Sequence, residues 1–210
     1  MSMIESQCKR CRRAGEKLFL KGERCNSPKC ALVKRNFPPG AHGDKGYKKL
    51  TNYGEQLKEK QKARNIYGLR EKQFRVYFEK SFKKKGNTGE MFFKMLESRL
   101  DNTIFRLGLA SSRPKARQLV SHGHFQVNDR KVDIPSFLVK IGDKITIKTA
   151  SQTKPAFKDL AQALVSHKEK MVSWLNLDEK LMEGKVTGQP KSGEVEANVD
   201  WRAIVEFYSK

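Results

Sequence analysis

The first thirty residues contain all four cysteines of the chain, in the pattern C-x2-C-x13-C-x4-C. Residues 8–46 around them are rich in glycine, proline and basic residues and lack periodic apolar positions, so a hydrophobic core cannot order this segment. Two close cysteine pairs can each supply two thiolates to one tetrahedral ion. The pattern therefore predicts a metal-bound arm whose ligands are Cys8, Cys11, Cys25 and Cys30.

A structural zinc ion is the cofactor that this spacing favours, because closed four-thiolate sites are typical of structural zinc. An iron–sulfur cluster fits the same ligand count, although nothing else in the sequence indicates electron transfer. Disulfides and free cysteines are the remaining alternatives. Four cysteine ligands leave no open position for a substrate water, so we expect a structural rather than a catalytic metal.

Lysine and arginine outnumber aspartate and glutamate by 44 to 23, which gives a formal net charge of +21. Residues 1–100 carry +16 of this charge and residues 101–150 carry +5, whereas residues 151–210 are balanced. Such an excess favours a polyanionic partner, with nucleic acid the first candidate and an anionic membrane surface the second. No apolar run is long enough to span a membrane and no signal sequence is present, so we expect a cytoplasmic protein.

Hydrophobic periodicity predicts several helices in the middle of the chain. The second of them carries an aromatic stripe, which is most simply explained by packing against neighbouring helices. The fourth is short, with Ser112 as its N-cap and Pro114 in its first turn, where a missing N–H is tolerated. The helices are expected at 52–68, 70–84, 88–108 and 112–122, and the aromatic stripe consists of Phe74, Tyr77, Phe78 and Phe82.

After the fourth helix the apolar period changes to two, which predicts a small sheet. Asn128-Asp129 is a tight-turn sequence between two short strands, and Leu138-Val139 is a further strand. The later sequence predicts a polar helix over about 155–170 and an exposed connection over 183–198. The apolar ending, residues 204–208, should pack back onto an earlier part of the chain, since free termini are seldom so hydrophobic.

Basic side chains on the fourth helix and the following hairpin predict a surface for RNA. A helix N-terminus adds N–H groups and a dipole to the attraction of side chains for phosphate. Double-stranded RNA is mostly recognised by its backbone shape, so we interpret this element as a docking surface rather than a reader of sequence. A solvated basic face is the alternative for any single Lys or Arg, but it explains the whole set less well.

Four segments resemble the S4 RNA-binding module: 96–102, 106–108, 116–120 and 122–124. That module also occurs in some pseudouridine synthases and in tyrosyl-tRNA synthetases, so it does not decide the function alone. Further motifs, in order along almost the whole chain, resemble the S4 family of small-subunit ribosomal proteins in its four-cysteine, zinc-binding bacterial form. These motifs are residues 18–22, 24–25, 38–40 with 42–43, 59–62, 66–68, 73–75, 174–175 and 205–209.

The resemblance implies an α+β fold with a zinc-bound N-terminal arm, a helical domain, and an inserted RNA-binding module of two helices plus a small antiparallel sheet. The implied protein is a structural constituent of the small ribosomal subunit that binds the five-way junction in the 5′ domain of ribosomal RNA and nucleates its assembly. It would also contribute to translational accuracy with ribosomal protein S5. The expected boundaries are 1–46 for the arm, 47–97 for the helical domain (completed by about 185–210), 98–160 for the module and 161–184 for its extension and connection.

Residues 1–7, the turn at 128–129 and residues 188–200 depart from the family pattern, so their contacts stay open. The remaining charge pattern and the resemblance together give a set of side chains predicted to contact RNA. They are Arg10, Arg12, Arg13, Lys21, Arg24, Lys45, Lys48, Lys49, Lys62, Arg64, Arg99, Arg113, Lys115, Arg117, Gln118, His122, His124, Arg130 and Lys131.

Two other functional classes fit the sequence less well. A modification enzyme with the same module would need a catalytic domain, and residues 151–210 are too short and too polar to supply one. The sequence also contains no recognisable Ser-His-Asp, Cys-His or paired-carboxylate arrangement. A quality-control factor that acts on stalled ribosomes would not need the four-cysteine arm or the apolar ending. We therefore predict a non-enzymatic RNA-binding protein without a small-molecule substrate.

Overall fold

The computed structural model describes residues 7–47, 49–157, 160, 164, 171–178, 181–194 and 199–209. The chain divides into two compact units: the first contains Met1–Gly89 and Ala197–Lys210, and the second contains Glu90–Glu196. Helices and one small antiparallel sheet make this an α+β fold. Among the described residues, no helix combines the length and apolar character needed to cross a membrane.

The described elements are short, and most of the helices precede the sheet. The helices are α1 (Gln7–Ala14), α2 (Ala31–Lys34), α3 (Asn52–Ile66), α4 (Glu71–Phe82), α5 (Thr88–Glu97), α6 (Leu100–Arg106), α7 (Arg113–Ser121), α8 (Thr149–Gln152) and α9 (Trp201–Tyr208). The strands are β1 (Phe125–Val127), β2 (Arg130–Lys131), β3 (Lys144–Ile147), β4 (Leu175–Asp178) and β5 (Glu183–Val186). Single 3-10 turns lie at Gly22–Cys25, Gly43–Lys45, Pro155–Phe157 and Ser192–Glu194.

The C-terminal helix α9 packs on α3 within the first unit. The Asp200 side chain caps α9, and its backbone N–H donates to Glu59 Oε2 at 3.0 Å. Ile204 is fully buried, and the rings of Tyr53 and Phe207 lie 5.6 Å apart. The prediction that the apolar ending packs back onto an earlier part of the chain is confirmed.

Three of the four aromatic residues in the α4 stripe are buried. Phe74, Tyr77 and Phe78 retain at most 7% exposure, as expected for core positions. Phe82, the last residue of the helix, is 60% exposed, so the core assignment is wrong at this position.

The helix predicted over 88–108 is broken where α5 ends and α6 begins. Arg99 adopts an extended conformation (φ −69°, ψ 138°) and forms an isolated bridge with Leu138. The N–H of Val139 donates to the carbonyl of Ser98 at 2.9 Å, and the N–H of Leu100 donates to Phe137 at 2.8 Å. This pairing with a distant segment replaces helical hydrogen bonds, and it is the only strand-like feature described at Leu138.

The sheet in the second unit has the strand order β2-β1-β3-β5-β4, and every pair is antiparallel. Asn128 and Asp129 both adopt positive φ, at 49° and 62°, which confirms the tight turn between β1 and β2. The prediction of an exposed connection from residue 183 is wrong at its start, because β5 lies inside the sheet. Gly184 is buried there, and a Cβ at this position would lie 2.3 Å from Leu107 Cδ1.

The core of the second unit is formed by the apolar sides of α6 and α7 together with residues of the sheet. Because the apolar side of α7 is buried, the opposite side of the helix faces solvent. The central core side chains include Leu100, Ile104, Leu107, Ala116, Val120, Phe125, Ile145 and Ile147.

Several predictions lie wholly or partly outside the described residues. Pro155–Phe157 forms a 3-10 turn, and most of the helix predicted over 155–170 falls outside. The same holds for residues 1–6, for Lys48 and for positions 195–198.

Candidate nucleic-acid interface

A row of polar side chains lies on the solvent side of α7. Lys115, Gln118 and His122 follow one another at intervals of three and four residues, and all three are exposed. On β2, Arg130 and Lys131 are exposed as well. These five side chains are termed the α7–β2 face below.

A close contact places β2 beside the end of α7. Gly123 follows α7 at a φ of +70°, and a Cβ built on it would lie 2.5 Å from Lys131 Cε. The absence of a side chain at Gly123 thus leaves room for the Lys131 stem. Lys131 also forms an exposed ion pair with Asp133 at 3.6 Å, a contact that contributes little in water.

Asp101 binds two of the arginines that sequence analysis assigned to RNA. Arg99 donates to it through Nε at 3.1 Å and Nη2 at 2.8 Å, and Arg117 through Nε at 2.9 Å and Nη2 at 2.7 Å. The Arg99 side chain is 2% exposed, whereas that of Arg117 is 33% exposed. Arg99 is therefore part of the buried structure and has no surface for an RNA contact, whereas Arg117 is partly exposed to solvent.

Glu97 forms a second buried charge centre. Its carboxylate is fully buried and accepts from Arg106 Nε at 2.9 Å, Arg106 Nη2 at 3.0 Å and Asn102 Nδ2 at 2.9 Å. Arg113, also predicted to contact RNA, donates to Asn102 Oδ1 at 2.7 Å and lies 3.9 Å from Glu97. Arg113 is only 9% exposed, so its guanidinium has little surface available for a ligand.

His124 is a further predicted RNA contact that is buried. Its Nδ1 lies 3.0 Å from Ser151 Oγ, and its ring packs edge-on against Phe157. Burial lowers the pKa of His124, and the nearby Lys154 and His122 act in the same direction. The neutral imidazole is therefore favoured, and this side chain is part of the packing beneath the interface.

A basic cleft of about 890 Å³ lies on the arm. Its lining contains six cationic side chains and one acidic one, Glu23, so it concentrates positive potential. Only Arg12 and Arg24 of this lining were predicted as RNA contacts. The cationic residues of the cleft are Lys9, Arg12, Arg24, Lys29, Lys34 and Arg35.

Arg12 also holds the arm together. Its guanidinium donates to the carbonyls of Phe37 and Pro38 at 2.9 and 3.1 Å, and it lies 4.7 Å from the centre of the Phe37 ring. The hydroxyl of Tyr47 donates to the Arg12 carbonyl at 2.8 Å. In the same turn, a Cβ on Gly43 would lie 1.9 Å from the Pro38 oxygen, so only glycine fits there.

The other predicted RNA contacts differ widely in exposure. Lys62 is buried and pairs with Glu16 at 2.8 Å and Glu59 at 3.5 Å, while Arg64 is partly exposed and pairs with Glu71 at 3.5 Å. Arg10 is partly exposed. The exposed members of the predicted set outside the α7–β2 face are Arg13, Lys21, Arg24, Lys45 and Lys49.

The four cysteines converge on one small cavity of about 20 Å³ in the arm. Cys8 and Cys11 lie one turn apart on α1, Cys25 ends a 3-10 turn, and Cys30 directly precedes α2. Three of the four are buried, and all four are free thiols.

Two opposing effects act on these thiols: backbone hydrogen bonds favour the thiolate, whereas burial favours the neutral thiol. The backbone N–H of Lys21 donates to Cys25 Sγ at 3.4 Å. Burial raises the pKa of Cys11 and a hydrogen bond with the Leu18 backbone opposes this, while the other three cysteines raise it further. Among the described residues, no group of three or more His, Cys, Asp or Glu side chains has the arrangement needed to hold a metal ion. The donor set and the shared cavity fit a metal, but the ligand geometry is not closed.

Known proteins resemble the chain over nearly its whole length. Residues 2–97 match the family described as Ribosomal protein S4/S9 N-terminal domain, and residues 98–145 match the S4 domain. The chain is 52% identical over 206 residues to Small ribosomal subunit protein uS4A of Alkaliphilus metalliredigens (strain QYMF), with 98% of each chain covered. It is 49% identical over 203 residues to Small ribosomal subunit protein uS4 of Desulfitobacterium hafniense (strain Y51), which covers 97% of this chain and 96% of that protein.

The two family matches define a ribosomal protein with an S4-type RNA-binding domain, and the α+β fold is consistent with them. The chain belongs to the uS4 family of small ribosomal subunit proteins, which confirms the resemblance recognised in the sequence. These relatives are ribosomal proteins and not enzymes, so the prediction of a non-enzymatic protein is also confirmed.

Proposed function

We propose that this chain is a structural constituent of the small ribosomal subunit that binds ribosomal RNA directly and nucleates assembly of its 5′ domain. The observation that carries the proposal is the α7–β2 face, where exposed polar and cationic side chains lie on a compact module with its own core. The basic cleft of the arm supplies a second cationic surface in the other unit.

The arrangement suits backbone recognition. Lys115, Arg130 and Lys131 are exposed and can approach phosphates, while Gln118 and His122 offer hydrogen-bond donors or acceptors between them. The ion pair between Asp101 and Arg99 fixes the start of α6, and Arg113, which lies 3.9 Å from Glu97, fixes the start of α7. The RNA then meets cations whose supporting helix is already ordered, which reduces the entropy lost on binding.

The family resemblance supports a more specific proposal for the partners. The RNA target would be the five-way junction in the 5′ domain of small-subunit ribosomal RNA. Ribosomal protein S5 would be a neighbour in the assembled subunit, and the two proteins together would contribute to translational accuracy.

RNA binding is tested by measuring affinity for a transcript of the 5′ domain as a function of salt concentration. The variant Lys115→Gln/Lys131→Gln removes two exposed cations of the α7–β2 face. Each lost phosphate contact should reduce the log–log salt slope by about 0.7–0.9, so the double variant should lose about 1.4–1.8 and bind more weakly.

The matched control is Lys185→Gln, which removes an exposed lysine from β5 of the same unit. Its affinity and slope should stay close to those of the wild type. Binding by the wild type that shows no preference for the 5′ domain over an unrelated RNA of equal length would refute the proposal. An unchanged slope for the double variant would remove the α7–β2 face from it.

We propose further that Cys8, Cys11, Cys25 and Cys30 bind one structural zinc ion. The proposal is supported by their convergence on one cavity and by the backbone N–H directed at Cys25. A bound zinc ion would cross-link α1 to the following turns, and so add to the small number of buried apolar side chains in residues 8–46, which include Leu18 and Leu20. Lys9, Lys29 and their neighbours in the cleft would then be held on an ordered surface.

The zinc proposal is tested by elemental analysis of protein purified without chelators. We expect about one zinc per chain, with little iron or acid-labile sulfide, and a lower zinc content in Cys8→Ser. Limited proteolysis of the same variant should cleave within residues 8–46 faster than in the wild type. Wild-type protein that contains no metal, or one iron–sulfur cluster per chain, would contradict the proposal.

A further inference from the structure

Phe82 is an exposed aromatic residue surrounded by lysines at the end of α4. It is 60% exposed, although it continues the stripe whose other three members are buried. Lys80 precedes it by two residues, Lys83 to Lys85 follow it directly, and all four lysines are exposed. None of these four is paired with a carboxylate within the described part of the chain.

The Phe82 ring is supported from one side by the core. Its centroid lies 6.1 Å from that of Phe78 with an interplanar angle of 26°, which is a stacked arrangement. Phe78 in turn stacks on Tyr208 at 4.6 Å and 29°. Phe82 is thus the outermost ring of a series of three, with most of its own surface in water.

The lysines alone have a simple explanation, since cations are favourable at the C-terminus of a helix. That explanation does not account for an exposed phenylalanine between them. An aromatic ring flanked by cations is, however, the combination with which proteins bind unpaired nucleotides: the base stacks on the ring and the phosphates pair with the cations.

We propose that Phe82, with Lys80 and Lys83 to Lys85, forms a second RNA contact that takes an unpaired nucleotide, whose base stacks on the exposed part of the Phe82 ring. This inference rests on the proposed RNA-binding function and adds a site that sequence analysis did not assign. It uses stacking, whereas the α7–β2 face offers only polar and cationic groups. The two contacts therefore respond differently to substitution.

The test compares Phe82→Leu and Phe82→Trp in binding to the 5′-domain transcript. Leucine keeps an apolar side chain but has no aromatic face, so affinity should fall about tenfold, within the range measured for one stacked base. The salt slope should not change, because no charge is lost. Tryptophan should bind at least as tightly as phenylalanine. The variant Lys83→Gln/Lys84→Gln/Lys85→Gln should reduce the slope by about 2, at roughly 0.7 for each contact to a single strand.

Val76→Ala is the matched control, because Val76 is also an exposed apolar residue of α4, at 40% exposure. Its affinity should equal that of the wild type. Equal binding by Phe82→Leu and the wild type overturns the inference. This holds even if Phe82→Leu is defective in the complete subunit, because such a defect would indicate that Phe82 contacts a protein neighbour rather than RNA. Equal weakening by tryptophan and leucine also overturns it. A wild type without preference for the 5′ domain defeats the proposed function and this inference together, whereas the first two outcomes defeat the inference alone.

Discussion

Glu97→Gln is the substitution that most directly tests how the RNA-binding module is held together. Glu97 is fully buried and accepts hydrogen bonds from Arg106 at 2.9 and 3.0 Å and from Asn102 at 2.9 Å. Glutamine has nearly the same shape but no charge, and in either orientation its amide nitrogen directs N–H groups at one of the two Arg106 donors. The substitution therefore isolates the buried charge from the volume of the side chain.

The expected loss follows from the burial of the cations left behind. The Arg106 and Arg113 side chains are 13% and 10% exposed, so water can replace the lost carboxylate only in part. Removing one partner of a buried ion pair typically costs about 3–5 kcal/mol. With an m-value of about 1–3 kcal/mol per molar urea, the midpoint of unfolding should fall by at least about 1 M.

Urea unfolding followed by tryptophan fluorescence provides the assay. Trp174 is 2% exposed in the second unit, so a Trp201→Phe background makes the signal specific to that unit. Asp133→Asn is the control, because it makes the same carboxylate-to-amide change in an exposed pair and should stay within about 0.5 kcal/mol of the wild type. A loss below about 1 kcal/mol for Glu97→Gln would show that the buried pair does not stabilise the module.

Two further predictions concern the same unit. Gly184→Ala would place a Cβ 2.3 Å from Leu107 Cδ1, so it should destabilise the unit by about 1–3 kcal/mol in the same urea assay, and Leu107→Val should relieve part of that loss. The pKa of His124 is lowered below its usual 6.5, mainly by burial and further by the charges of Lys154 and His122. As the pH falls, the unfolded chain therefore binds a proton at His124 before the folded chain does. The stability contributed by neutral His124 should be fully present above pH 6.5 and decline below it, and His124→Gln should weaken the dependence of the urea midpoint on pH between 7.5 and 5.5.

Apolar periodicity located most of the helices because burial on one side of a helix is a local property of the sequence. It failed at residues 98–99, where the apolar pattern continues from α5 into α6 while the backbone changes direction. The cause is a pairing of Ser98 and Leu100 with residues 137–139, and no local pattern encodes a hydrogen bond across forty residues. The strand β5 was missed for a similar reason, since its Gly and Lys are typical of loops but its neighbours in the sheet bury it.

The distribution of charged residues in the sequence predicted the basic regions, but it did not show which cations are buried in ion pairs. Arg99 and Arg113 were grouped with the exposed lysines, although the structure places them in buried networks with Asp101, Asn102 and Glu97. A usable signal was present, since Glu97 and Asp101 lie at helical spacing from the apolar Leu100 and Ile104, and a buried carboxylate requires a cation. The exposed Phe82 could not be foreseen, because helical spacing alone does not show where the core ends.

In the second unit, the largely buried Arg106 and the exposed Lys115 and Lys131 have different roles, and the difference follows from the chemistry of the two side chains. A guanidinium presents several N–H groups in one plane, so Arg106 can satisfy a fully buried carboxylate through two hydrogen bonds. An ammonium group is a compact, strongly hydrated charge on a flexible stem, which suits contacts with phosphates whose positions vary. Asp101 connects the two roles, because it fixes the buried Arg99 and also holds Arg117, whose side chain is one-third exposed. Asp101 thereby fixes the position of a partly exposed cation, so a ligand that binds Arg117 need not order that side chain.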